Sequence, residues 1–505
     1  MPAPKETAGE TSTRRWVILS FWAVILLGIP IWWKTTEIYR ATLPLERMLA
    51  WSERRACDII LPVSIHVQSP DPILALPRLL EKVEKKLRER NDVPEYDIQL
   101  KIAGDESSVI GTVITLSPSD ALSSPKSSFS SEGVLTFAYP SSARNELPDY
   151  LYDEIKSIFA KEKAYAKNVL SKAKEDIQND NGFRRVMGYA PTYQLSFSLM
   201  NGGAHDGVSQ WAIEEAVDSV FGETLGELSV VSNFSVHSQI QHYANLGFEP
   251  RKAVDGDGYE LRSEELSQFI NSAEWSLATP ISSYPTMNFL LYVPEKLYRP
   301  LVIRDGDGKP VPSNSFLIPQ WGGVVIYNPP VDSANSLSED ELRGALSTFR
   351  TYLLSLLGMP VLSGAGPNRW SYDGLVRQRT AENIVSAAAT LGSLARLVTQ
   401  LKHMSVPQAV RDSVNLVLSN LDNACAALHR GNVLEAFPHT VVARTNAEKA
   451  FFDPSMVSML YFPDEHKYAI YMPLFGPLAV PLILSVVKEL RTWREGRKQL
   501  KVKEE

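Results

Sequence analysis

Residues 16 to 44 read "WVILSFWAVILLGIPIWWKTTEIYRATLP". From Trp16 to Trp33 this stretch carries no charge, and it then changes within one residue to Lys34, two threonines, Glu37, Tyr39 and Arg40. At about 1.5 Å per residue the apolar part spans roughly 27 Å, close to the hydrocarbon thickness of a bilayer. A cleavable signal peptide ends in small residues after a short apolar core, whereas this one ends in Ile31, Trp32, Trp33 and Lys34. Residues 16–33 therefore read as an uncleaved anchor. Trp32 and Trp33 form its collar, because an indole ring suits a boundary that is half apolar and half wet.

A second apolar run, "YAIYMPLFGPLAVPLILSVV", occupies residues 468–487. The mostly polar residues 488–505 follow it, which argues against the removable tail of a GPI attachment signal. Pro473, Pro477 and Pro481 argue against a buried soluble helix, since interior prolines cost less in a membrane. Lys488, Arg491, Arg494, Arg497, Lys498, Lys501 and Lys503 lie beyond the run, while Lys467 is the one basic residue close before it. The positive-inside rule then puts 488–505 in the cytosol. Two spans bring the other end to the same side, so residues 1–15 are expected to be cytosolic and 34–467 lumenal.

The chain has 505 residues, 44% of them hydrophobic, enough for a large buried core. Its net charge of −7 offers no basic field of the kind nucleic acid binding needs. The two cysteines, Cys57 and Cys425, make neither a C-x-x-C site nor a disulfide framework, and two readings stay open: one long-range disulfide or two buried thiols.

Between the spans the pattern is mixed. An amphipathic helix is expected to start near Asp71, followed by strands in "YDIQLKI", "SVIGTVITL" and "VLTFAY" and a charged helix from about Asp149 to Asp176. A second strand group follows, in "YQLSFSLMN", "LSVVSNFSVHSQIQHYA", "MNFLLYVP", "LVIRDGDGKPV" and "GGVVIYNPP", with one helix in "VSQWAIEEAVDSVFGE". From Glu339 to about Phe452 the pattern turns helical, with a long segment over Leu375–Met404 and another from Pro407. The expected fold class is α+β, a large mixed domain with a helical C-terminal third between two transmembrane helices.

Motifs for chemistry are sparse. There is no G-x-S-x-G elbow and no H-E-x-x-H zinc helix. His205 and Asp206 in "NGGAHDGVSQ" read as a polar turn before a helix. His237 and His242 fall on opposite faces of a strand, which is wrong for shared metal ligation. The "DGDG" runs at 255–258 and 305–308 break the calcium-loop pattern at Tyr259 and Lys309 and read as hairpin turns. No cofactor or metal is expected. Asn233, Phe234 and Ser235 form an N-glycosylation acceptor, used if exposed in a lumen and bare if buried.

Four blocks resemble the PIG-S family, a subunit of the GPI transamidase of the endoplasmic reticulum: "PIWWKTTEIYRATLP" at 30–44, "SYPTMNFLLYVP" at 283–294, "WGGVVIYNP" at 321–329, and "AEKAFFDPSMVSMLYFPDEHKYAIYMPLFGPLAVP" at 447–481. They run in family order across nearly the whole chain, with little that is recognisable over 90–180 and 370–440. The resemblance implies a non-catalytic subunit in the endoplasmic reticulum membrane, with two spans and one large lumenal domain. Its implied partners are a PIG-K-like catalytic subunit, PIG-T-like and PIG-U-like chains, the GPI-anchor attachment subunit and membrane lipid. Trp32, Trp33, Lys34, Tyr39, Arg40, Phe451, Phe452, Tyr461 and Tyr468 are the expected interface and assembly residues. The competing expectation is a membrane-tethered lumenal hydrolase using Cys57, Cys425, His205 or Asp206.

Overall fold

A computed structural model of the chain describes residues 8–36, 39–103, 112–130, 134–170, 186–203, 207–253, 258–269, 283–330, 335–359, 368–401, 404–458 and 464–503. It divides into two compact units, one of residues 54–387 and 419–444, the other of 1–53, 388–418 and 445–505.

The first unit is built on two five-stranded sheets. In one, the strands follow the order Tyr96–Ile102, Leu61–Gln68, Thr112–Pro118, Leu135–Tyr139, Lys126–Phe129, all parallel except the last. Val63, Ile65 and Val67 are fully buried, alternating with residues on the other face as the pleat requires. Helix Leu76–Glu89 brings Leu79, Leu80 and Val83 into this core, and helix Leu147–Leu170 packs beside it.

The second sheet runs Ser315–Ile318, Gly322–Ile326, Thr286–Val293, Thr192–Asn201, Asn233–Gln241, again parallel but for its first strand. Strand Thr192–Asn201 is buried on both faces, as expected of a parallel strand covered by packing on each side. Tyr193, Leu195, Phe197 and Leu199 feed one core, where the Phe197 ring lies 5.4 Å from both Phe221 and Phe289. Met200, Leu290, Tyr292 and Val324 belong to a second core on the opposite face. Helices Ile213–Leu228 and Glu339–Leu356 pack together, and both touch the sheet. The paired glycines of "WGGVVIYNP" have a steric cause: a Cβ at Gly322, with φ of +157°, would run into the Asn288 backbone, and one at Gly323 into the Tyr352 ring.

Helices Arg369–Gln400, Gln408–His429 and Val433–Phe451 supply the expected helical C-terminal third. Mixed helix and sheet is thus the fold class, with the strands predominantly parallel. Among the described residues one segment, Ser12–Ile31, is long and apolar enough to cross a membrane, and it lies in helix Ala8–Thr36. The second expected span falls inside a single continuous helix, Asp464–Lys503, with Pro473, Pro477 and Pro481 in its interior.

Strand Leu61–Gln68, which no expectation covered, is an inner strand of the first sheet, and one expectation needs correction. The helix expected near Asp71 begins at Leu76, with Pro77 in its first turn, where a missing N–H costs nothing. Asp71 is instead a buried turn anchor. Its carboxylate accepts hydrogen bonds from the Ile73 N–H at 3.0 Å, the Tyr139 hydroxyl at 2.9 Å and Arg144 Nε at 3.0 Å.

Candidate assembly site

The described part of the collar is fastened to its own chain. Arg40 forms a parallel β-bridge with Val406, and the Ala41 N–H donates to the Val406 carbonyl at 2.8 Å. The Arg40 guanidinium donates to the Val398 carbonyl. Tyr39 donates its hydroxyl to Gln408 Oε1 at 3.1 Å, while the Ser405 hydroxyl donates to the Tyr39 carbonyl at 3.3 Å. The segment leaving the N-terminal helix is therefore strapped to the chain that joins helices Arg369–Gln400 and Gln408–His429. Tyr39 nonetheless keeps 62% of its surface exposed, so one face of the strap is open to a neighbour. Lys34 is exposed, and the side chains of Trp32 and Trp33 lie outside the described set.

The chain ahead of the last helix carries the aromatic junction. Phe451 is half-buried and meets Phe452 edge to face at 5.0 Å, while Phe452 is 73% exposed. Asp453 accepts from the Ser455 N–H at 3.0 Å and starts the short helix Pro454–Ser458, whose Met456 is buried. Tyr461 lies outside the described residues, as does the Tyr468 side chain.

The first and last helices meet at one end. Arg14 Nε and Arg15 Nε each donate to Glu489, both at 2.9 Å, one to each carboxylate oxygen. Between the helices lies an apolar groove of about 610 Å3 with Ile18, Trp22, Leu26, Leu490 and Trp493 on its walls. Outward, Trp16, Leu19, Leu27, Met472 and Leu484 each expose more than 60% of their surface, a solvent-facing character that suits lipid better than water.

Of the residues considered for catalysis, the two cysteines are engaged with each other. Cys57 and Cys425 are joined in a disulfide, with Cα atoms 6.4 Å apart, which resolves the two open readings. A sulfur in that bond is no thiolate nucleophile or metal ligand. His429 lies 4.0 Å from Cys425 Sγ, but its Nε2 is 2.9 Å from the Asp58 carbonyl and fits a donor to it. His205 and Asp206 lie outside the described residues. His237 is exposed, and His242 sits past the strand end with Nδ1 at 3.4 Å from the Asn201 amide nitrogen. Asp305–Gly308 is a hairpin turn, closed by Asp305 N–H to the Lys309 carbonyl at 2.9 Å. The 255–258 run joins antiparallel strands, with 254–257 outside the described residues. Asn233 is exposed at the first position of an edge strand, so the acceptor nitrogen is accessible.

The fold and these contacts define a protein of mixed helix and sheet, its strands predominantly parallel, with an exposed apolar N-terminal helix of membrane-spanning length. The family described as "Phosphatidylinositol-glycan biosynthesis class S protein" matches residues 19–496, and the chain belongs to this PIG-S family. It is 32% identical to "GPI-anchor transamidase component PIGS" of Homo sapiens, over 97% of this chain and 98% of that one. It is 30% identical to "GPI transamidase component PIG-S homolog" of Schizosaccharomyces pombe, over 97% and 86%. It is 26% identical to "GPI transamidase component GPI17" of Saccharomyces cerevisiae, over 95% and 93%.

Proposed function

We propose that this chain is a structural subunit of the GPI transamidase in the endoplasmic reticulum membrane, holding a separate catalytic subunit on the lumenal side while a C-terminal signal is exchanged for a GPI anchor. The observation that carries this reading is near end-to-end similarity to proteins named as components of that enzyme. The transferred acyl group and its acceptor both lie near the membrane face, and fixing their geometry removes a large share of an activation barrier. The strap at Tyr39–Ala41 supports such a role, because it turns a bare linker above a membrane helix into a fixed connection.

In this reading residues 16–33 and 468–487 both span the bilayer, 34–467 are lumenal, and 1–15 and 488–505 are cytosolic. The double contact of Arg14 and Arg15 with Glu489 supports it, since a two-span hairpin brings those ends to one membrane face. The disulfide supports an oxidising lumen for residues 57 and 425. Trp32, Trp33, Lys34, Tyr39, Arg40, Phe451, Phe452, Tyr461 and Tyr468 then serve at the interface, with exposed Tyr39 and Phe452 as the strongest contacts for a partner.

The test is affinity capture of the full chain in mild detergent, with mass spectrometry of what accompanies it. A cysteine-protease-like chain and further membrane subunits are expected; their absence under conditions that preserve the complex in a relative would overturn the proposal. A lumenal hydrolase would instead keep hydrolytic activity when purified alone.

A further inference from the structure

The second sheet changes direction in its strand order at Thr192–Asn201. From this strand the chain first goes to Asn233–Gln241 on one side, then crosses to Thr286–Val293 on the other and continues outward to Gly322–Ile326. In open parallel sheets, the crevice beyond the carboxyl ends of two strands that diverge in this way is the usual place for a ligand.

This chain has a cleft there, of about 360 Å3. Gly202 follows the first strand and donates its N–H to the Val293 carbonyl of the other at 2.9 Å, so the two strand ends are held together under it. A Cβ on Gly202 would stand 2.8 Å from the Tyr292 hydroxyl and 3.0 Å from the Glu295 nitrogen, so glycine keeps the floor open. The walls are the Tyr292 and Tyr298 phenols, Phe248, Glu249 and Glu295. Burial raises the Tyr298 phenol above its usual range, and the charges of Glu249 and Glu295 add to that. Among the described residues lining the cleft there is no lysine or arginine, and neighbouring Arg299 donates to the Pro294 carbonyl at 2.7 Å.

We propose that this cleft binds an organic cation, an alkylammonium or guanidinium group, between the exposed Glu249 and Glu295 carboxylates and the half-buried Tyr298 ring. Carboxylates neutralise the charge, while aromatic faces attract it and exclude water. The volume suits one such headgroup, carried by a small amine or by a basic side chain of a peptide.

The test uses the full chain in detergent, followed by saturation-transfer NMR with n-butylammonium, an acetylated and amidated Gly-Lys-Gly tripeptide, and neutral 1-pentanol. Either cation is expected to bind in the millimolar range, and the alcohol at least about tenfold more weakly. The double variant Glu249→Gln/Glu295→Gln should lose about tenfold in cation affinity at an unchanged melting temperature. Binding of the tripeptide alone would identify a peptide source, and binding of both a free headgroup. Equal binding of the alcohol, no cation binding at about 20 mM, or an unaffected double variant would overturn the proposal. None of these readouts requires transamidase partners, so the outcome is independent of the subunit assignment.

Discussion

Arg377 grips Glu162 with two hydrogen bonds, Nε to Oε1 at 2.6 Å and Nη2 to Oε2 at 3.0 Å, and both side chains are buried. The pair fastens helix Arg369–Gln400 to helix Leu147–Leu170, beside a stack of Phe159 on Trp370 with ring centres 5.8 Å apart. A bidentate pair of this kind satisfies each charge as long as the other is present. Arg377→Met should therefore cost about 3–5 kcal/mol by stranding a buried carboxylate. The combined variant Arg377→Met/Glu162→Leu should recover much of that loss. Chemical denaturation of the three proteins decides the point: equal losses in single and double variants would mean that packing, not the ion pair, sets the cost.

Asp71 gives a pH dependence of definite sign. Burial by itself raises its carboxyl pKa, but the Ile73 N–H, the Tyr139 hydroxyl and Arg144 outweigh it and hold the carboxyl below its usual 3.8. A depressed value stabilises the folded state above 3.8, and the contribution is lost as pH falls through the lowered folded value. Asp71→Asn should therefore melt lower than the parent at pH 7, and the gap should close on acidification through that range. A gap that stays constant between pH 7 and strong acid would remove the charge from the explanation.

The collar strap is open to a direct trial. Arg40→Ala removes the bond to the Val398 carbonyl and should loosen the strap by about 1 kcal/mol. A scramble of residues 34–44 at fixed composition should undo it. Both should speed limited proteolysis between Gln400 and Gln408, the scramble by several-fold, and only the scramble should impair assembly with partners. Parent-like digestion and assembly of the scramble would reduce the collar to a spacer.

Exposure of Asn233 predicts a glycan wherever the first unit faces a lumen. Treatment with an endoglycosidase should raise gel mobility by one glycan in the parent and leave Asn233→Gln unchanged. A parent insensitive to the enzyme would put residue 233 out of reach of the glycosylation machinery.

Periodicity exposed much of this fold in the sequence, and the cause is local. Tyr193, Leu195, Phe197 and Leu199 alternate because one strand face fills one core. The helix at Glu339 is announced by Ser338 and Glu341, whose side chains complete a reciprocal cap. Strand Leu61–Gln68 was not legible in the same way. It is an inner strand with Pro62 near its start, and the proline blurs the strand pattern. Asp71 looked like a helix start because Asp before an apolar pattern is the usual cap, whereas its partners Tyr139 and Arg144 lie 68 and 73 residues away. The strap was unreadable for a similar reason: the collar motif is local, but Tyr39 meets Ser405 across 366 residues. Two isolated cysteines carry no spacing signal at all, so only folding coordinates bring them together.

The disulfide also orders events in time. Its two halves are separated by 368 residues, so in an oxidising compartment Cys57 would arrive long before its mate has been synthesised. At about 5–20 residues per second the wait is some tens of seconds, during which the early thiol is open to mispairing or to escort by an oxidoreductase. Closure can come only after translation has passed Cys425, and it then ties Cys57, just before strand Leu61–Gln68, covalently to helix Gln408–His429.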